Sequence, residues 1–385
     1  MAVFHESLMV LLLLLIAAGG AYAIFSLFLV QRFFSSQRPS SWEAGYPPVS
    51  ILKPVKGADS QFGQNLASFT VQDYSEYEVL LGFADENDEG LPAARQVESE
   101  SPRVKVVINR RRLGANPKVS NLYALLEKAR YPLLLISDSD IRVTPGYLRE
   151  IVADYLSGEK VGIVTSLKRI TSAQSLGGLL ESLTTAADEV PSVLVARCME
   201  GITFGLGASL LLSRQALEDI GGFSAVADYL AEDYQIGNRL WKKGYRNILS
   251  AHVIDNVIGK MSISDYVLHQ LRCARTYRAC RPKGFLGYGI THILPFSLLL
   301  LLLQGVGWIT LSLLAASLAL RLGVILSLYK NGMCPRGWLR LTLFLPIKDL
   351  FSFGIWIWSF FGSTVLWRGT YYSIIRGGLL KKANE

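Results

Sequence analysis

The sequence predicts an α/β protein with α-helical transmembrane segments. Two patterns carry that expectation: short apolar runs alternate with helical pieces between Val49 and Ser157, and long uncharged stretches occur near both ends. The chain has 385 residues, 50% of them hydrophobic, and a mean hydropathy of +0.30. That exceeds ordinary soluble composition, so part of the chain belongs in lipid.

Leu8 to Val30 is 23 residues without a charge, long enough as a helix to span the hydrocarbon of a bilayer. Ala21-Tyr22-Ala23 has the small-x-small form that precedes a signal-peptide cleavage site. No Lys or Arg precedes the run, however, and it continues through IFSLFLV past that point, so an N-terminal transmembrane anchor over 8–30 is the preferred reading. Arg32 and Arg38 follow it, which puts the bulk of the chain on the cytoplasmic side. A polar linker over 31–48 then leads into a domain over 49–260.

Within that domain Val49–Leu52, Val79–Phe83, Val104–Ile108 and Leu133–Ser137 read as strands. Asn65–Asp73, Ser120–Arg130 and Gly146–Ser157 read as helical pieces. This order argues a mostly parallel sheet covered on both faces, in which ligands bind beyond the carboxyl ends of the strands. A basic interfacial helix follows over 261–284, then transmembrane helices over 285–328. A C-terminal membrane segment or pair of segments covers 341–367, and a basic tail covers 368–385. The apolar run to Leu328 suits two crossings. The last stretch, Phe351 to Trp367, fits either a hairpin or an interfacial piece.

The formal charge is +8. The basic residues cluster beside apolar segments, in the Lys330–Arg340 loop and the tail, so they are topology signals and not a nucleic-acid surface. Cys198, Cys273, Cys280 and Cys334 show no C-x-x-C pair and no zinc-ligand spacing, and read as free thiols.

LLLISDSDIRV is a buried-strand run that ends in Asp138 and Asp140. Two Asp at i and i+2 there can aim oxygens at one divalent cation, Mg²⁺ or Mn²⁺, which in turn holds a diphosphate. As an isolated string it is a weak signal, and turn and cap residues before the next helix would explain it. FADENDEG sets Asp85 and Asp88 after a second strand, and AEDYQIGNRLWKKGYR sets Glu232-Asp233 at a helix start. Together the three acid clusters predict a carboxylate-lined pocket. Arg272, Arg275, Arg278 and Arg281 recur at i+3 spacing, which fits a membrane-surface helix and a diphosphate grip equally well.

The ordered set PPVSILKPVKG, FADENDEG, GANPKVSNL, ISDSDIRV, GLGASLLLSRQALEDIGGF, AEDYQIG and HQLRCAR resembles the membrane glycosyltransferases of the ceramide glucosyltransferase family. WRGTYYSIIRGG looks like that family's ending, and Thr291-His292-Ile293-Leu294-Pro295 is similar to its bacterial branch, which includes hopanoid-associated glycosyltransferases. The resemblance implies a GT-A type, Rossmann-like nucleotide-sugar-binding domain. It also implies inverting transfer from a UDP-sugar, UDP-glucose or UDP-N-acetylglucosamine, to a membrane lipid hydroxyl of ceramide-like or hopanoid-polyol type. Carried over by position, Asp85 contacts the uridine with Lys118 nearby, Asp138 and Asp140 hold the cation, Asp233 is the general base, and Arg272 steadies the leaving UDP. The chain departs from the family's Q-x-x-R-W or R-x-x-R-W motif, reading His269-Gln270-Leu271-Arg272-Cys273. A stacking surface is therefore missing or supplied elsewhere. A processive polysaccharide synthase and a catalytically inactive nucleotide-binding scaffold stand as alternatives. The segment 171–204 fits the acceptor side, or an amphipathic helix packed on the sheet. The protein is expected to be a multi-pass membrane protein with its catalytic domain in the cytoplasm.

Overall fold

The computed structural model describes residues 2–35, 45–58, 60–334 and 342–382. Half of the expected linker (36–44), the basic loop at 335–341 and the last three tail residues lie outside the described residues. The chain forms two compact units. One comprises Gln37–Ala173, Glu200–Lys260 and Gly378–Glu385; the other comprises Met1–Ser36, Gln174–Met199 and Met261–Gly377.

The first unit holds an eight-stranded sheet. Its elements are β1 (Val49–Pro54), α2 (Phe62–Ser68), β2 (Tyr77–Phe83), α3 (Leu91–Glu100), β3 (Val104–Ile108), α4 (Pro117–Lys128), β4 (Leu133–Ser137), β5 (Ile141–Arg142), α5 (Tyr147–Leu156), β6 (Val161–Thr171), β7 (Ser209–Ser213), α8 (Arg214–Asp219), α9 (Glu232–Lys242) and β8 (Arg246–Val257). The strand order is β3-β2-β1-β4-β7-β6-β8-β5. In β1, β2 and β4 every residue is buried, as in strands covered on both faces. One apolar cluster, including Ile51, Leu81, Leu135 and Ile151, fills one face. A second, including Leu52, Leu80, Leu122 and Ile236, fills the other.

The parallel part runs through β3, β2, β1 and β4, with Val49 opposite both Tyr77 and Leu133. Beyond β4 the mostly parallel expectation holds with two reversals: β6 and β8 run parallel to each other and in the same direction as β3, β2, β1 and β4, and only β7 and β5 are reversed. β7 runs antiparallel to both β4 and β6, and β5 runs antiparallel to β8. The chain leaves β6 and re-enters at β7 on the same sheet edge, and such a return makes neighbouring strands antiparallel. The helical piece read over 65–73 begins earlier and ends at Ser68, where Phe69 turns into the core.

The second unit is helical. Its elements are α1 (Ala2–Ser35), α6 (Leu176–Thr184), a π-helical turn (Thr185–Glu189), α7 (Val190–Glu200), α10 (Ile263–Cys280), α11 (Pro282–Tyr288), α12 (Ile293–Gln304), α13 (Trp308–Lys330), α14 (Leu345–Ser359), β9 (Thr364–Trp367) and β10 (Thr370–Ile374). Val3–Ser35 and Trp308–Lys330 are long and apolar enough to cross a membrane. Pro282–Thr291 and Ile293–Gln304 form a pair bent by 58° that could make a third span. Residues 176–199 pack within this unit: Leu183 and Ala187 meet Ile325 and Leu345, and Leu180 meets Tyr266, Leu271 and Ile355. The amphipathic helix considered for the sheet thus belongs to the helical unit. Within the apolar stretch read as far as Trp367, the helix ends at Ser359 and Thr364–Trp367 pairs with Thr370–Ile374 as an antiparallel hairpin. Its two-residue turn places Arg368 at φ 48° and Gly369 at φ 80°, the left-handed pair that a tight hairpin requires.

Candidate functional site

The parallel strands β1, β2 and β4 deliver three loops to one sheet edge. β4 ends at Ser137, so Asp138 is the first residue outside the ladder, and Asp140 precedes β5. Val257 N–H donates to the Asp140 carbonyl at 2.9 Å, which ties this loop to the end of β8.

Asn116 organises the next side of the site. It caps α4 by accepting from Lys118 N (2.8 Å) and Val119 N (3.2 Å), with Pro117 in the first helical turn, where no N–H is needed. Its amide Nδ2 donates to the Tyr229 carbonyl (2.7 Å) and to Glu232 Oε2 (3.2 Å). Ala115 N–H donates to Asp228 Oδ1 at 2.8 Å. The start of α4 is thereby fastened to the chain entering α9, although more than a hundred residues separate them.

This junction brings Lys118, Asp138 and Glu232 together. The Lys118 ammonium lies 2.7 Å from Asp138 Oδ1 and 2.7 Å from Glu232 Oε1. Burial opposes its charge, but the Asp138 and Glu232 carboxylates hold it protonated well above the ordinary lysine range. Asp233 follows in the first turn of α9. Removal from water, and then the neighbouring Glu232 carboxylate, push it up to about 7 against the pull of Lys118. Gly207 leaves room for this side chain: a Cβ there would sit 2.6 Å from Asp233 Oδ2.

A second lysine lies beneath the acidic loop. Lys53 is fully buried in β1 and donates to the Asp138 carbonyl (2.7 Å) and to Ser137 Oγ (3.3 Å), with its ammonium 3.7 Å from the centre of the Phe69 ring. Burial lowers it to about 7, with Asp138 and Asp140 pulling it back up. The aspartate loop is therefore held between two lysine side chains.

Of the residues singled out in the sequence, Lys118, Asp138 and Asp233 share this cluster, and Asp140 is two positions along the same loop. Asp85 lies beyond β2 on the same edge. It is exposed and accepts from Asn87 N (3.0 Å). Asp88 performs a turn role, accepting from Gly57 N and Gly90 N. Arg272 lies on α10 in the other unit, half-buried. Two other arginines of the stripe are structural: Arg275 donates to the carbonyls of Phe361 (2.7 Å) and Thr364, and Arg278 donates to that of Gly362 (2.7 Å). They neutralise the carbonyl-rich exit of α14, where a helix end favours cations. Lys53, Asn116 and the ion pair of Glu232 escaped the sequence reading. A lysine inside the largely apolar VSILKP strand and an Asn before Pro at a helix start were their signals.

A mixed sheet whose carboxyl edge carries an aspartate loop, a bridging lysine and an acidic helix start is the scaffold of a GT-A glycosyltransferase. A solved mannosyltransferase, PcManGT from Pyrobaculum calidifontis in complex with GDP-Man and Mn²⁺, superposes with a TM-score of 0.54. It is 18% identical and covers 92% of this chain and 99% of its own. The sequence pattern that defines glycosyl transferase family 21 matches residues 11–380, and the chain belongs to that family. Ceramide glucosyltransferase 3 of Caenorhabditis elegans is 24% identical over 387 residues, covering 94% of this chain and 82% of that relative. Ceramide glucosyltransferase 1 of the same organism is 32% identical over 208 residues, covering 54% of this chain and 44% of that relative.

Proposed function

We propose that this chain is a membrane-bound inverting glycosyltransferase that moves a hexosyl group from a UDP-sugar to the hydroxyl of a membrane lipid. UDP-glucose or UDP-N-acetylglucosamine is the donor, and a ceramide-like lipid or hopanoid polyol is the acceptor. In this reading residues 49–260 form the catalytic domain on the cytoplasmic side, and segments 8–30 and 285–328 make the protein multi-pass. The observation that carries the reading is the Lys118 bridge between Asp138 and Glu232, with Asp233 next in the chain. Membership of family 21 and the ceramide glucosyltransferase relatives support the reaction class.

The donor set suits a divalent cation. Asp138 and Asp140 offer hard oxygens, and Mg²⁺ or Mn²⁺ commonly takes one or two carboxylates while keeping other positions for water and substrate phosphate. Among the described residues no group of three His, Cys, Asp or Glu side chains could cage an ion. When bound, the cation offsets charge building on the departing diphosphate.

The chain's own groups account for the remaining roles. The acceptor hydroxyl attacks the anomeric carbon opposite the UDP and gives its proton to an Asp233 oxygen. Arg272 donates to the leaving diphosphate, its planar fork matching phosphate oxygens. Asp85 accepts from the uridine, and Lys118 keeps the Asp138 loop and the α9 start in register.

The test is protein reconstituted in bilayers with Mg²⁺ or Mn²⁺, incubated with each UDP-sugar and each lipid, with products read by mass spectrometry. One sugar per lipid is expected, and none from Asp138→Ala. A polymeric product would instead identify a synthase, and no turnover with any pair would identify a scaffold.

A further inference from the structure

We propose that Cys273 is a covalent modification site, a thiolate activated by His269 and Glu181 that undergoes exchange with small anionic disulfides. His269 and Cys273 lie one turn apart on α10, and Cys273 Sγ is 3.7 Å from His269 Nε2. The other ring nitrogen, Nδ1, lies 3.2 Å from Glu181 Oε1 on α6. Gln270 Nε2 donates to the second Glu181 oxygen at 2.8 Å, which fixes that carboxylate. Glu181 is 3% exposed, so its charge is held within the protein against the imidazole.

The arrangement is that of a nucleophile beside a base, with a buried carboxylate at ion-pair distance that favours the charged form of the imidazole. It is not a metal site, because the two ring nitrogens face different partners and cannot direct Cys273 and Glu181 to one ion. The charges agree with the geometry. The Cys273 thiolate and then Glu181 push His269 up to about 10. The protein surroundings oppose ionisation of Cys273, yet His269 and Arg272 bring its thiol below the ordinary range. Cys273 is exposed, as reaction requires. Its neighbour Arg272 adds a positive charge that favours an anionic reagent.

In the step, Cys273 Sγ attacks one sulfur of the disulfide and a new S–S bond forms. The other sulfur leaves as a thiolate and takes the proton from His269 Nε2. The Cys273 sulfur is oxidised, the leaving sulfur is reduced, and added thiol reverses the exchange. The adduct places a bulky anion beside Arg272 and lowers sugar transfer; this consequence rests on the transferase reading above, whereas the modification itself does not.

Full-length protein is treated with 5,5′-dithiobis(2-nitrobenzoate) at pH 6.5, and labelled cysteines are assigned by peptide mass. Cys198, also exposed, is the internal reference. Cys273 is expected to react about fivefold faster or more, a gain in thiolate partly offset by its lower nucleophilicity. His269→Gln brings it to the Cys198 rate and moves its pH–rate midpoint upward, Glu181→Gln does so in part, and the Cys198 rate stays constant. Equal rates at Cys273 and Cys198 in the unaltered protein, or a Cys273 rate indifferent to His269→Gln, would overturn the site. If His269→Gln unfolds, seen as faster labelling of every cysteine, the unaltered-protein comparison and Glu181→Gln decide. Transfer should fall on labelling, recover with added thiol, and resist the reagent in Cys273→Ser; rapid labelling without loss of transfer overturns the consequence alone.

Discussion

Asp233 owes its proposed role to its neighbours. Withdrawal from water and the adjacent Glu232 raise it to about 7, while Lys118 opposes them. A carboxylate near the working pH is a stronger base than an ordinary one while still substantially ionised. Replacing it by Asn removes the proton acceptor and keeps the shape. Asp233→Asn is expected to lower turnover about 10²- to 10⁴-fold with UDP affinity retained, as measured by calorimetry alongside the transfer assay. Near-normal turnover would remove Asp233 as the base. The sign of the pH dependence follows from the acting form. The base works ionised, so kcat/KM rises with pH through an acid limb and is lost below it. Glu232→Gln removes the like charge and should move that limb to lower pH at fixed cation concentration; a limb that stays or moves up would contradict this account of the shift.

The first turns of α4 and α9 work as a pair, because Asn116 holds both and Lys118 bridges from one to the other. Opposite them, the loop before β7 must pass close to Asp233, and Gly207 is where it does. A methyl group there would meet Asp233 Oδ2 at 2.6 Å, too close without displacing the carboxylate. Gly207→Ala is therefore expected to cut transfer about 10²-fold, the scale on which a misplacement of about 1 Å acts. The thermal midpoint should change little, because the contact is with a side chain and not with the sheet. A large drop in stability with normal specific activity would assign Gly207 to packing instead. The sequence pointed to the GLG stretch only by resemblance, since its demand for space is set by an aspartate 26 positions further on.

Across the whole molecule, what was legible was what short-range pattern determines. The four strands from Val49 to Ser137 and the aspartates just past the last of them appear as the apolar runs imply. What pattern could not supply were partners distant in sequence: the reversed β7, the Glu232 end of the Lys118 bridge, and the carbonyls that occupy Arg275 and Arg278. Arg321 is the sharpest case, since in the sequence it merely interrupts an apolar run. In the helical unit it donates to Asp349 (2.9 and 2.6 Å) and Asp188 (2.6 Å), while Lys348 pairs with the same two carboxylates at 2.6 Å. Two cations and two anions balance in a buried cluster that joins α13, α14 and the π-helical turn. Arg321→Met leaves a net negative charge buried and should cost about 3–5 kcal/mol, the usual effect of breaking such a pair from one side. Adding Asp349→Leu leaves the neutral Asp188–Lys348 pair and should recover most of the loss, because an apolar replacement of a whole pair is often neutral. Denaturation midpoints in detergent compare the two variants. A double variant no more stable than Arg321→Met would mean that the guanidinium acts through its bond to the Ala187 carbonyl (3.0 Å), holding the π-helical turn, and not through charge balance.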